Sequence, residues 1–247
     1  MNKNTANLIL EKVASDYDSI ADRFSQTRYR DWDEFYDFEK YLKTGLSVLD
    51  VGCGNGRLLN FLTKYGISYV GIDASAKLIQ IAKKIADEKI TSSLSSYSFL
   101  KASATELPFA DQSFHIVFAV ASLYHIPSHE LRNQAVKEIA RVLKPSGIFI
   151  MTYWNMWEKS RRQLVAKNVL KKVIGKSKLD FFDTEKPWKN PDGEVVVNRY
   201  CHAFRLGEIE KMAKNNHIRT VEKYYMKKGR QVKSNIGFNG VYIGKKC

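Results

Sequence analysis

The sequence predicts an α/β domain with a mostly parallel, doubly wound sheet and helices on both faces. Three observations predict it. Short apolar runs alternate with helix-period segments between residues 46 and 153, the pattern of parallel strands joined by crossover helices. The first run feeds a glycine-rich turn, Val48-Leu49-Asp50-Val51-Gly52-Cys53-Gly54-Asn55-Gly56-Arg57. The last two runs, Arg219–Met226 and Phe238–Gly244, have no helix between them and read as an antiparallel hairpin added at the sheet edge.

Residues 5–24 form an amphipathic pattern with polar breaks, and Trp32 to Lys43 a second helical one. Leu46–Val51 reads as the first strand, with a helix from Arg57. Ser68–Ile72 is the second strand, followed by a helix over Lys77–Asp87, and Tyr97–Lys101 is the third strand. Phe114–Val120 is apolar throughout, as a strand buried on both faces should be. Ser128 is placed to cap the next helix, whose apolar positions Leu131, Ala135, Ile139 and Val142 keep helical spacing. Lys144-Pro145-Ser146-Gly147 ends that helix, and Ile148–Tyr153 is the fifth strand. The chain divides into a helical cap (1–44), a ligand-binding core (45–154), a basic insertion (155–217) and the closing hairpin (218–247), all in one domain.

A length of 247 residues fits one such domain with an insertion, and 44% hydrophobic residues supply its core. Cys53, Cys201 and Cys247 are scattered with no CxxC pair, which argues against disulfides and zinc and fits a reducing cytoplasm. Met1 to Leu10 is mostly polar, so no signal peptide is expected, and no apolar run approaches membrane-spanning length. The net charge of +14 favours a polyanionic partner. Half of it lies in residues 158–178, where Lys159, Arg161, Arg162, Lys167, Lys171, Lys172, Lys176 and Lys178 face one acid, Glu158. Leu164, Val165, Asn168, Val169 and Lys172 give that stretch a partly amphipathic helical pattern, suited to phosphate contacts.

Glycines at a strand end let backbone approach a ligand closely. A second apolar run, Tyr69-Val70-Gly71-Ile72, ends in Asp73, positioned for ribose hydroxyls. Together they point to an adenosine-type cofactor. The spacing is GxGxG, not the GxGxxG of dinucleotide folds, and Asp50 is a poor neighbour for pyrophosphate but a good one for a cationic amino-acid group. The turn with its aspartate resembles motif I of class I methyltransferases that use S-adenosylmethionine. That resemblance implies a Rossmann-like, seven-stranded sheet. It implies Asp50 beside the cofactor ammonium and Asp73 on the ribose. Lys101 to Phe109 is similar to the superfamily's adenine-side loop, with Ser103 where most members have an acid. Tyr124 and His125 end strand 4 and should face the reacting centre. No paired-cysteine or NPPY-like motif is present, and no metal site is expected.

Two further segments interleave aromatics with arginines: Tyr17 to Trp32, containing Ser25-Gln26-Thr27-Arg28-Tyr29, and Asn198-Arg199-Tyr200-Cys201-His202-Ala203-Phe204-Arg205. With the glycine turn they resemble the Trm9/ALKBH8 family of tRNA wobble-uridine methyltransferases, over about Tyr17 to His217. The resemblance implies esterification of the carboxylate of 5-carboxymethyluridine. A carboxylate is already anionic at neutral pH, so orientation rather than a general base is required. It implies catalytic roles for Arg28, His125, Arg199, Tyr200 and His202, with Tyr17, Tyr29 and Tyr200 walling the pocket. The cofactor site is expected to comprise Tyr17, Arg28, Asp50, Gly52, Cys53, Gly54, Asn55, Gly56, Asp73, Ala74, Ser103, Ala104, Thr105, Val120 and Ala121. Implied partners are tRNA and a small Trm112-like activator protein, with no membrane. Two alternatives remain: a methyltransferase acting on a quinone, lipid or metabolite, and a non-catalytic RNA-binding protein with a degenerate cofactor fold.

Overall fold

The computed structural model describes residues 1–28, 30–89 and 95–247. In chain order the elements are α1 (Lys3–Gln26), a 3-10 segment (Asp33–Tyr41), β1 (Ser47–Val51), α2 (Arg57–Leu62), β2 (Ser68–Asp73), α3 (Ala76–Lys89), β3 (Ser96–Lys101), β4 (Phe114–Val120), α4 (His129–Val142) and β5 (Leu143–Trp154). Then follow α5 (Arg162–Val173), β6 (Asp183–Lys189), β7 (Val195–His202), α6 (Leu206–Asn215), β8 (Ile218–Lys227), β9 (Arg230–Val232) and β10 (Asn239–Lys246).

The sheet order is β3-β2-β1-β4-β5-β10-β8-β9. The first five strands are parallel, and β10 runs antiparallel between β5 and β8. This is the expected seven-stranded arrangement, extended to eight by the short edge strand β9. Strands β6 and β7 pair only with each other, as an antiparallel ribbon beside the sheet.

The period of two along each strand separates the core into two layers. Val48, Ile116, Phe118 and Ile150 pack against α2, α3 and the 3-10 segment; Leu49, Val117, Phe149 and Met151 pack against α4 and α6. Burying each such side chain contributes about 1.5–3 kcal/mol.

Three expectations change in detail. The Trp32–Lys43 segment is 3-10 rather than α-helical, because its inward aromatics Phe35, Phe38 and Tyr41 recur every third residue, which a three-residue turn aligns on one side. Strand 5 begins at Leu143, before the Pro145 turn, since Leu143 already pairs with Phe114 and the register shifts before Ile148 joins Ile116. Within 155–217, α6 sinks Ile209, Met212 and Ala213 into the main core, so the part that stands off the sheet ends with β7.

One ionic clamp positions the loop after β3. Glu138 and Arg141 on α4 meet in a two-point contact at 2.9 and 2.8 Å. Arg141 also donates to the Phe109 carbonyl (2.7 Å), the Leu107 carbonyl (2.9 Å) and Asp111 (2.8 Å), while Glu138 accepts the Leu107 N–H (2.8 Å). Replacing Arg141 by Met should cost about 1–2 kcal/mol in urea unfolding and weaken cofactor binding several-fold, because the loop carrying Ser103 is freed. Unchanged stability in that variant would show that the clamp does not hold the loop.

Candidate active site

A cavity of about 330 Å³ lies at the carboxyl ends of β1, β2, β4 and β5, roofed by Leu10, Val13, Ala14 and Tyr17 of α1. This is where open parallel sheets bind ligands. The glycine turn forms its floor. Gly52, Gly54 and Gly56 all have positive φ (77°, 57° and 79°), a conformation that other residues rarely adopt. At Gly52 space is also decisive: a Cβ would lie 2.3 Å from that of Ser122. The Gly52 and Cys53 amides donate to the Ile72 carbonyl at 2.8 and 2.9 Å, fastening the turn to β2. Gly56 does not line the cavity; it starts α2 against Phe99.

Asp50 is 1% exposed. One carboxylate oxygen accepts the Tyr69 hydroxyl at 2.9 Å, and the other has no partner among the described residues. Burial pushes its pKa up to about 7, against the pull of the Tyr69 bond. A lone buried acceptor at a cavity wall suits a cationic donor, so the site fits the ammonium end of S-adenosylmethionine. Asp73 accepts the Gly54 and Ser75 amides, both at 2.9 Å, and burial raises its pKa. Cys53, Asn55, Ala74, Ser103, Ala104, Val120 and Ala121 also line the cavity; Thr105 does not. Ser103 turns its hydroxyl to Thr105 at 2.7 Å. Ala121 takes a φ of 51°, turning the chain out of β4 at the cavity edge.

His125 is where the cap, the core and the ribbon meet. Its Nδ1 lies 2.5 Å from the Tyr200 carbonyl, which can only accept, so Nδ1 carries the proton. Nε2 is then the acceptor for the Tyr17 hydroxyl at 2.7 Å. Both nitrogens are engaged. Burial drives the imidazole pKa down to about 3, so it is neutral at physiological pH. Burial pushes the Tyr17 phenol up to about 12, although the Arg199 charge pulls it down. Asp18, next along α1, accepts from the Ser75 hydroxyl (2.6 Å) and the Lys77 amide (3.0 Å), capping α3.

Arg28 lines the cavity with its guanidinium 5.0 Å from the Phe24 ring centre and 5.6 Å from Trp188. Burial and the neighbouring Arg199 lower its pKa. Arg199 is 4% exposed and does not itself line the cavity; its guanidinium lies 4.9 Å from the Trp154 ring centre and 4.8 Å from that of Trp188. Its Nε and Nη1 find no partner among the described residues. Tyr200 and His202 point to the other side of β7. Tyr200 turns its ring toward Arg132, and only its carbonyl serves His125. His202 sits between Asp183 (2.7 Å) and Glu208 (3.0 Å), away from the cavity. Tyr29 lies outside the described residues.

Sequence reasoning missed Trp154, Trp188 and Lys186. Trp154 lines the cavity; Lys186 and Arg199 both lie on its ring. Of the basic run 158–178, Arg161 turns inward to the Phe238 carbonyl (2.8 Å), while Lys167, Lys171, Lys176 and Lys178 are exposed. Burial places the Cys201 thiol up at about 12 and the Cys53 thiol well above its usual value, so neither is a ready nucleophile.

The raised Asp50 pKa predicts a linkage. A cation bound beside Asp50 lowers its pKa, so the complex holds fewer protons than the free protein. Affinity for S-adenosylmethionine should therefore rise with pH from 5 to about 7 and then level, by at most roughly tenfold per pH unit. Calorimetry in two buffers should show proton release near pH 6. Asp50→Asn should bind more weakly with that release abolished; the same pH slope in the variant would contradict the assignment.

A methyltransferase-domain family profile matches residues 49–151. The chain is 27% identical over 209 residues to a tRNA (carboxymethyluridine(34)-5-O)-methyltransferase of Schizosaccharomyces pombe, covering 82% of this chain and 86% of that protein. It is 32% identical over 207 residues to a putative methyltransferase of Encephalitozoon cuniculi, covering 83% and 86%. An Arabidopsis thaliana tRNA (carboxymethyluridine(34)-5-O)-methyltransferase is 32% identical over 152 residues, 62% of this chain but 35% of that protein, so the chain spans about a third of that relative. Among solved structures, a SAM-dependent methyltransferase of Methanosarcina mazei shares the fold with a TM-score of 0.69 at 22% identity, covering 85% of this chain and 96% of that one. A Haloferax volcanii putative methyltransferase, solved in complex with the Trm112 activator, does so with a TM-score of 0.63 at 17% identity, covering 94% and 96%. With the buried acid, glycine turn and cavity described above, these similarities show that the chain belongs to the class I, S-adenosylmethionine-dependent methyltransferases, as a Trm9-like member.

Proposed function

We propose that this protein methylates the carboxylate of 5-carboxymethyluridine at the wobble position of tRNA. The observation that carries this reading is Arg199: a buried guanidinium with two unpartnered N–H-bearing nitrogens, 4.9 and 4.8 Å from two indole ring centres beside the cofactor cavity. Desolvated, unpaired cations suit an anionic acceptor, and arginine can hold a carboxylate at two points. His125 supports the same conclusion, since an imidazole with both nitrogens engaged and a pKa near 3 is unavailable as a base at neutral pH. An acceptor that arrives already nucleophilic, as a carboxylate does, needs no base from it.

When bound, S-adenosylmethionine supplies a methyl carbon made electrophilic by its sulfonium: a carboxylate oxygen forms the new C–O bond as the C–S bond breaks, and the electron pair stays on sulfur. In this reading Asp50 holds the cofactor's ammonium and Asp73 its ribose, while Gly52, Gly54 and Asn55 shape the floor beneath it. Cys53, Ala74, Ser103, Ala104, Val120 and Ala121 contribute the remaining walls. Tyr17 and His125 keep α1 closed over the site, and Arg28 and Arg199 orient the acceptor carboxylate or an adjacent phosphate. Orientation of this kind is the main requirement of an in-line displacement. Tyr200 acts through its carbonyl, and His202 braces the ribbon.

The exposed lysines of α5 and the turn after it give the tRNA backbone a place to lie. Names of the curated relatives favour RNA over a small-molecule acceptor. A small Trm112-like activator belongs to the proposal, by analogy with the Haloferax complex. So does a cytoplasmic setting, supported by three free cysteines. Among the described residues, no helix is long and apolar enough to cross a membrane.

The test is mass spectrometry of nucleosides from tRNA incubated with the protein and S-adenosylmethionine. Transfer RNA carrying 5-carboxymethyluridine should gain one methyl on that nucleoside, and unmodified tRNA none. Arg199→Ala should lower kcat/KM roughly ten- to a hundredfold or more with cofactor affinity kept within a few-fold. No methyl gain with cofactor bound and activator supplied, or full activity in the variant, would overturn the reading.

A further inference from the structure

The ribbon β6–β7 carries a local conflict. Lys186 and Arg199 are directly opposed in its antiparallel register. Like charges placed opposite each other destabilise a strand pair. Here both also crowd one indole, with the Lys186 ammonium 4.1 Å and the Arg199 guanidinium 4.9 Å from the Trp154 ring centre. Among the described residues no carboxylate pairs with either cation. Asp183 and Glu208 at the foot of the ribbon are committed to His202 and Arg132. Arg199 keeps Nε and Nη1 buried and unbonded. Burial, then Arg161 and Arg199, bring the Lys186 ammonium down to about 8. The fold thus brings two cations together on an aromatic surface beside the cofactor cavity without compensating charge. An apolar or neutral occupant would leave that cost standing, whereas one anionic group between them removes it.

We propose that Lys186 and Arg199 together hold the acceptor carboxylate, with Lys186 making the site select the anion over its methyl ester. The inference rests on the esterification reading above. It adds a residue that the sequence motifs do not mark, and a role in product release. Esterification turns an anionic acceptor into a neutral one. A neutral ester oxygen forms weaker hydrogen bonds than a carboxylate, and it leaves the opposed cations uncompensated. The product is therefore expelled by the charge pair that held the substrate. A backbone phosphate in the same place would stay charged before and after reaction, and would give no such selection.

The experiment measures equilibrium binding of two anticodon stem-loops, one carrying 5-carboxymethyluridine and one its methyl ester, in the presence of S-adenosylhomocysteine. Wild-type protein should prefer the acid by roughly ten- to a hundredfold, the effect expected of one charge-assisted hydrogen bond. Lys186→Met should lose most of this preference by weakening the acid alone. Lys186→Arg, which keeps the charge, should retain it and guards against a folding defect in the Met variant. Equal wild-type affinities for the two stem-loops would overturn the proposal. So would a Lys186→Met variant that weakens both equally, the behaviour of a phosphate contact. Turnover is read separately. Discrimination without methyl transfer would sink the esterification reading and leave the anion site standing; methyl transfer without discrimination would do the reverse.

Discussion

The site depends on one imidazole. His125 links a helix from the start of the chain, a strand end from its middle and a ribbon from its last quarter through Tyr17, its own position after β4 and the Tyr200 carbonyl. Because the carbonyl can only accept, the tautomer is determined, and because the ring is buried it stays neutral. A charged His125 would have to donate from both nitrogens, so the Tyr17 hydroxyl would have to turn from donor to acceptor to keep the contact. The same helix is held at a second point by Asp18, which caps α3. The roof of the cavity is therefore built from hydrogen bonds to the core rather than from hydrophobic docking alone.

The second organising feature is an imbalance of charge. Arg28, Arg161, Lys186 and Arg199 act on one another in a partly dry region lined by Phe24, Trp154 and Trp188. Aromatic faces tolerate cations through the ring quadrupole, which lets the fold place charges where water cannot fully solvate them. Such faces do not neutralise charge. The acidic groups of the cavity are Asp50 and Asp73, at the ends of β1 and β2, and both of those carboxyls are themselves raised by burial. Under the proposed reading the acids serve a cationic cofactor and the cations an anionic acceptor, two reactants whose charges cancel as the bond forms.

The parts of the fold set by local periodicity were legible in the sequence: the strand–helix alternation, the glycine turn, Asp73 at the tip of β2, the Ser128 cap and the antiparallel end. The expected 3.6-residue period over Trp32–Lys43 failed because Phe35, Phe38 and Tyr41 follow a period of three. In the site, neighbouring residues in the segment from Asn198 to Arg205 were given one role. A strand alternates its faces, so Arg199 lies toward Trp154 and Trp188 and Cys201 toward His125, while Tyr200 and His202 face Arg132 and Asp183. The stack of Trp154, Arg199 and Trp188 joins positions far apart in the chain, and no local pattern could have announced it. Nor could composition separate Arg161, turned inward, from the exposed lysines beside it.

The central claim is that an anionic acceptor meets the cofactor beside Arg199. The most direct test is a structure of the protein with S-adenosylhomocysteine and 5-carboxymethyluridine monophosphate. The account predicts the acceptor carboxylate within hydrogen-bonding distance of Arg199, between Trp154 and Trp188, and facing the cofactor sulfur. A carboxylate turned to solvent, or a nucleotide bound with Arg199 untouched, would contradict it.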